Sequence, residues 1–148
     1  MTLLFPDVNL WLALSVADHT HNSVAWRWLK LLADDRKLAI SRYTQLGLLR
    51  LLTSSPVMGD QTLRLGQAWS VYDHWLEDPR VAFYAEPRNV ETAFRLITEP
   101  FDKQKATKAV GDCWLLAFAK EIDATLVTFD RALFAFARKQ GLGAIIPS

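Results

Sequence analysis

The sequence predicts an α/β fold with a central, mainly parallel β-sheet flanked by helices on both faces. Three observations carry this expectation. Short apolar runs recur along the chain with the length and residue types of buried strands. Between them lie longer segments whose apolar residues fall at helical spacing. The two kinds of segment are interleaved along the whole chain, the pattern of a sheet with covering helices. A length of 148 residues suits one domain, so residues 1–148 are read as a single unit.

Thr2 to Phe5 is an apolar run stopped by Pro6 and reads as a buried strand. Asn9 to about Val16 reads as a short helix. His19-Thr20-His21-Asn22-Ser23 is a polar break containing helix-start residues, after which Val24, Ala25, Trp28, Leu29 and Leu32 fall at helical spacing. Leu38 to Ile40 is the second strand. Arg42 to Thr53 reads as a helix that stops before Ser54-Ser55-Pro56, because a proline disfavours helical conformation in the residue before it. Asp60 is placed to cap the next helix, where Leu65, Ala68, Trp69, Tyr72 and Leu76 make one apolar face. Val81 to Tyr84 is the third strand and Val90 to Ile97 a further helix. Pro100 to Lys108 is a polar, basic connection. Gly111 to Glu121 is helical, and Thr125 to Phe129 is a β-branched strand. Arg131 to Lys139 is the last full helix, and Gly143 to Ile146 an edge strand.

Composition narrows the class. The chain is 51% hydrophobic and 22% charged, which is enough apolar residue for a real core. Six tryptophans and eight phenylalanines make that core aromatic or leave aromatic surface for a partner. Cys113 is the single cysteine, so no internal disulfide framework is expected and a reducing compartment fits. No apolar stretch reaches the roughly 18–20 uncharged residues of a membrane span. The N-terminal residues lack the basic region and long apolar segment of a signal peptide, so the expectation is a cytoplasmic protein. The net charge of +1 lends no support to nucleic-acid binding by bulk charge. Contact with phosphate would need a local basic patch or metal ions.

Two aspartates follow strands directly: Asp7 after the first, Asp130 after Thr125 to Phe129. Ligands of open parallel sheets bind outside the carboxyl ends of the strands. Asp112 opens the helix that feeds the Thr125 strand, which places it at the same edge. Three aspartates distant in sequence thus converge on one area. Like charges in proximity raise one another's pKa and destabilise the fold unless a cation intervenes. Mg²⁺ suits such oxygen donors, and a helix N-terminus near Asp112 would also favour negative charge. Carboxylates around Mg²⁺ are suited to cutting phosphodiesters. Each residue also has a plainer reading: Asp7 and Asp130 as helix N-caps, Asp112 as a solvated first-turn residue.

Pro6-Asp7-Val8-Asn9 after an apolar strand resembles the opening D-x-N of PIN domains. Gly111-Asp112-Cys113-Trp114-Leu115-Leu116-Ala117-Phe118-Ala119 is similar to the family's third motif. Thr125-Leu126-Val127-Thr128-Phe129-Asp130-Arg131 is similar to its closing motif, a strand ending in T-x-D. The polar stretch around His19 and His21, and Thr44-Gln45-Leu46-Gly47-Leu48-Leu49-Arg50-Leu51, resemble VapC-like toxins of VapBC toxin–antitoxin pairs. The resemblance spans nearly the whole chain. It implies a Mg²⁺- or Mn²⁺-dependent endoribonuclease with Asp7, Asp112 and Asp130 as catalytic and metal-binding residues. It also implies a homodimer, an RNA substrate and a cognate VapB-type antitoxin.

One departure concerns the family's usual glutamate in the third helix, a position aligned here with Gln45. Leu48, Leu49 and Leu52 lie at i+3, i+4 and i+7 from it, so Gln45 faces inward. It either accepts from a metal-bound water or is a buried amide bonded to Asn9 or Thr128. This departure keeps a second function class open, a PIN-like interaction module that has lost its nuclease activity. Intact Asp7, Asp112 and Asp130 favour the enzyme. A phosphatase of the haloacid-dehalogenase type would need an acid where Asn9 stands.

Other candidates are weaker. His19 and His21 have no cysteine or third histidine nearby in sequence and read as helix-entry residues rather than zinc ligands. Arg42, Arg50, Lys103, Lys105 and Lys108 form either a basic rim for RNA or an ordinary solvated surface. Trp11, Trp26 and Trp28 read as core or dimer contacts.

Overall fold

The computed structural model describes residues 3–148. Thr2, read above as the start of the first strand, lies outside them. Five strands form one sheet in the order β3-β2-β1-β4-β5: β1 Leu3–Pro6, β2 Lys37–Ile40, β3 Val81–Phe83, β4 Ala124–Val127 and β5 Ala144–Ile145. Every neighbouring pair is parallel. The helices among the described residues are α1 Val8–Ser15, α2 Asn22–Leu31, α3 Arg42–Leu52, α4 Ser55–Met58, α5 Leu65–Leu76, α6 Val90–Thr98, α7 Thr107–Glu121 and α8 Arg131–Lys139. None is long and apolar enough to cross a membrane.

The period of two in a strand explains the layers. Leu4, Leu38, Ile40 and Val127 join a core with α1, α2, α3 and α5. Phe5, Ala39 and Leu126 point the other way, into a core with α6, α7 and α8. Both faces are thus covered, as a parallel sheet requires. Phe5 is fully buried with its ring 4.8 Å from that of Phe118. Trp11 is also core, and Trp26 and Trp28 pack against the same cluster. The edge strand read at the C-terminus is β5. It is reached through a left-handed turn at Gly141 (φ 78°), where Gly141 N donates to Arg138 O and Leu142 N to Ala137 O. That pair of bonds closes the end of α8 and favours glycine at the turn.

Several boundaries differ from the sequence reading. Ser54-Ser55-Pro56 does end α3, yet it also starts α4, because proline is tolerated in a first helical turn. Asp60 does not cap α5; it sits in the short 3₁₀ turn Gly59–Gln61, and α5 starts after Arg64, whose amide donates to Gln67 Oε1. The buried seam of α5 is Ala68, Tyr72 and Trp75, whereas Leu65, Trp69 and Leu76 are exposed. The apolar arc of this helix is wider than the surface it packs on. β4 ends at Val127, so Thr128 and Phe129 belong to the connection.

The correction with most bearing on the site is at α7. This helix begins at Thr107, so Asp112 is its sixth residue and does not open it. Gly111 had suggested a start. A Cβ there would meet the Tyr43 hydroxyl, so glycine leaves room for the Tyr43 side chain to lie against α7. Asp112 therefore lies beyond the first turn, where the helix dipole gives it little support.

Candidate active site

The ends of β1 and β4 are flush. Pro6 pairs with Val127, and the next residue, Asp7, donates its amide to Val127 O at 2.8 Å. Register alone thus sets Asp7 beside Thr128 at the carboxyl edge. Asp7 is buried and caps α1, its Oδ1 accepting from Val8 N at 2.7 Å. Its Oδ2 accepts from the Thr128 hydroxyl at 3.1 Å.

Thr128 is a hub. Its Oγ1 donates to Asp7 and accepts from Asn9 Nδ2 (3.2 Å) and from Asp130 N (3.0 Å). Asn9 completes the latch, accepting from Phe129 N through Oδ1 at 3.3 Å. The spacing of D-x-N and T-x-D follows from this geometry. Asp7 and Asp130 bear the charge, while Asn9 and Thr128 tie the two strand ends together. From sequence, Asn9 and Thr128 stand out only as possible partners of Gln45, whereas in the fold they join the two motifs. Their signal was their fixed offset from each acid.

Asp130 caps α8, its Oδ1 accepting from Ala132 N at 2.9 Å and Leu133 N at 3.1 Å. The capping readings of Asp7 and Asp130 are therefore correct, and they position the acids. Two helix N-termini, those of α1 and α8, supply the favourable dipole. Asp130 Oδ2 and Asp112 Oδ2 share one cation, the Lys108 ammonium, at 3.3 Å and 3.0 Å. Structure thus brings Asp112 and Asp130 onto one lysine, with Asp7 close by.

The electrostatics differ among the acids. Burial pushes the Asp7 carboxyl above its ordinary range, with Asp112 and Asp130 adding repulsion and the Val8 and Thr128 hydrogen bonds opposing it. At Asp130 burial also raises, but the Leu133 amide, Lys108 and the Ala132 amide outweigh it, and the carboxyl is held low. Lys108 is held above its usual range by its hydrogen bond to Asp112, and against partial desolvation by Asp130.

A cavity of about 120 Å³ adjoins Asp7, walled by Val8, Tyr43, Thr44, Gly47, Arg50 and Leu115. Gln45 is absent from its lining. The amide is buried, as expected, but accepts from Arg42 Nη1 at 2.6 Å and meets the Tyr72 hydroxyl. Neither Asn9 nor Thr128 is its partner, because those two bond to each other. Of the two readings of Gln45 the structure has the buried amide, with Arg42 and Tyr72 as its partners in place of Asn9 or Thr128. The face of α3 toward Asp7 carries Tyr43, Thr44, Gly47 and Arg50, and position 45 is turned away. Gln45 is consequently no sign of a decayed site. Gln45→Glu would place a carboxylate beside Arg42, away from the acids. The rise in melting temperature on Mn²⁺ addition should then equal that of the wild type; a larger rise would return position 45 to the site.

The basic residues divide as well. Arg42 lies over the Phe83 ring at 4.6 Å and Arg50 lines the Asp7 cavity. Lys103 and Lys105 are exposed. His21 stacks on Phe129 at 4.5 Å, and His19 Nδ1 accepts from His21 N, both at the entry of α2.

The donor set can be tested against a divalent ion. Among the described residues no group of three or more His, Cys, Asp or Glu side chains stands close enough to hold one unaided. Mg²⁺ does not need this, since it binds through one or two carboxylates and keeps its waters. Here the donors are hard oxygens, Asp112 and Asp130 share one lysine, and that lysine already occupies a cation position. The residues fit such an ion.

A parallel α/β sheet with acids at the ends of two adjacent strands narrows the class of protein, and similarity to known proteins gives the family. Residues 4–139 match the family model described as PIN domain, and the chain belongs to that family. It is 34% identical to Ribonuclease VapC41 of Mycobacterium tuberculosis over 134 residues, covering 88% of this chain and 90% of the relative. Among solved structures it is similar to VapBC2 of Rickettsia felis bound to a promoter DNA fragment, with a TM-score of 0.73 and 17% identity over 99% of this chain and 100% of that one. VapC20 of Mycobacterium tuberculosis, a toxin that cleaves the sarcin–ricin loop, gives a TM-score of 0.69 at 16% identity over 97% and 99%. At these identities the structural matches speak for the fold alone.

Proposed function

We propose that this protein is a Mg²⁺- or Mn²⁺-dependent endoribonuclease and the toxin of a toxin–antitoxin pair. The observation that carries the chemistry is the flush ending of β1 and β4, with Asp7 and Asp130 beyond it and Asp112 joined to Asp130 through Lys108. The relationship to VapC41 supports RNA as the substrate. The fold shared with VapBC2 supports a VapB-type antitoxin as partner. Exposed Leu65, Trp69 and Leu76 on α5 offer apolar surface for the homodimer we expect.

Asp7, Asp112 and Asp130 would hold the ion. When bound, it would supply charge neutralisation at the scissile phosphate and a water activated for attack. The protein's own part is orientation. Thr128 fixes Asp7 Oδ2, the α8 N-terminus fixes Asp130 Oδ1, and Arg50 stands in the adjoining cavity where a phosphate can reach it.

Purified protein should cleave a structured RNA with Mg²⁺ or Mn²⁺, lose that activity in EDTA and regain it when the ion is restored. Cleavage that persists under full chelation would overturn the proposal.

A further inference from the structure

The role of Lys108 follows from which carboxylate oxygens it holds. Each oxygen of Asp7 already accepts one hydrogen bond, from the Val8 amide or from Thr128, and keeps a lone pair for an ion. Asp130 Oδ1 is committed to two amides of α8. That leaves Asp130 Oδ2 as its one oxygen outside the helix cap, and Lys108 stands on it at 3.3 Å. The same ammonium takes Asp112 Oδ2 at 3.0 Å. Lys108 is in the first turn of α7, one turn before Asp112, and its side chain is 71% exposed. It is thus tethered at the site by these two contacts, with solvent on its other side.

We propose that Lys108 is a resident counter-cation that a divalent ion must displace from Asp112 and Asp130, making it a positioning residue that sets the ion concentration at which the site fills. The inference rests on the metal-dependent reading above. In the ion-free protein Lys108 offsets the repulsion between the two acids and keeps their oxygens turned to one point. An entering ion competes for Asp130 Oδ2, and the flexible, solvated lysine stem gives way at little cost in packing. The released ammonium stays one helical turn from Asp112, within reach of an anionic phosphate.

The test is Mn²⁺ titration by calorimetry of the full chain in chelator-free buffer. Removal of an exposed competing ion pair predicts that Lys108→Met binds Mn²⁺ roughly three- to tenfold more tightly than the wild type. Lys108→Arg keeps the charge and should bind no more tightly than the wild type. Lys105→Met removes a nearby charge with no ion pair among the described residues and should leave the affinity unchanged. Equal or weaker binding in Lys108→Met overturns the displacement role while leaving the metal site intact. An equal gain in Lys105→Met also overturns it, since bulk charge would then explain the effect. Absence of Mn²⁺ binding in every variant overturns this inference together with the metal-dependent function.

Discussion

Asp7→Asn and Asp112→Asn should each lower RNA cleavage by about a thousandfold, because the charge stabilisation an ion supplies is worth several kcal/mol and each ~1.4 kcal/mol is a factor of ten. The fold should survive, and Asp7 offers a sign-specific check of that. Burial, reinforced by Asp112 and Asp130, raises its carboxyl pKa in the folded chain. The folded state therefore binds this proton more tightly than the unfolded state. Its contribution to stability is full at pH below the ordinary carboxylate range and is lost as pH rises through the raised folded value. At neutral pH without metal, burial of the Asp7 carboxyl opposes folding. Relative to the wild type in EDTA, Asp7→Asn should accordingly melt progressively higher as the pH rises out of the carboxylate range toward 7, because it removes this titration. The advantage should shrink as the pH falls toward the carboxylate range. Asp130 has the opposite sign: its carboxyl is held low, so its contribution is present at neutral pH and lost on acidification. A single-turnover assay beside melting curves in EDTA reads both effects. Near-normal cleavage in both Asp7→Asn and Asp112→Asn would mean that the site lies elsewhere. Lost cleavage with a melting difference that does not change with pH would point to damage of the fold instead.

The parts of this molecule legible in the sequence are those with a local cause. Strand runs such as Leu38 to Ile40 declare themselves by apolar character, and the carboxyl-edge rule then locates Asp7 and Asp130. What depends on contacts between elements was not legible. Gly111 looks like a helix boundary until Tyr43 is seen packed against it. Gln45 faces inward by its spacing, but spacing cannot say whether inward means Asp7 or Arg42 and Tyr72. The apolar face of α5 could be listed, yet which of its residues find a packing partner is a tertiary fact. Lys108 stood among five basic candidates. Its distinction is that it meets an acid one turn ahead and another twenty-two residues on, and only the fold brings the second to it.

Thr128→Val should reduce cleavage by about 10- to 100-fold, the usual cost of removing a group that orients a metal ligand. The substitution nearly conserves shape, but it strips a fully buried hydroxyl of three hydrogen bonds. Asn9 Nδ2 and the Asp130 amide lose their acceptor, and Asp7 Oδ2 loses its donor. Unpaired buried groups cost about 1–3 kcal/mol each, so stability should fall by an amount of that order. The effect on Asp7 has a direction. The Thr128 hydrogen bond favours the ionised carboxyl, so its loss raises the Asp7 pKa further above the ordinary range. Ion binding requires the carboxylate, so the acidic limb of the pH–rate profile should move to higher pH in Thr128→Val. A merely structural role would lower the rate without moving that limb. Thr128→Ser retains the hydroxyl and should restore both the rate and the profile. If Thr128→Val cleaves at the wild-type rate with an unmoved profile, the hydroxyl does not orient Asp7, and the flush register of Pro6 and Val127 is enough to hold the carboxylate in place.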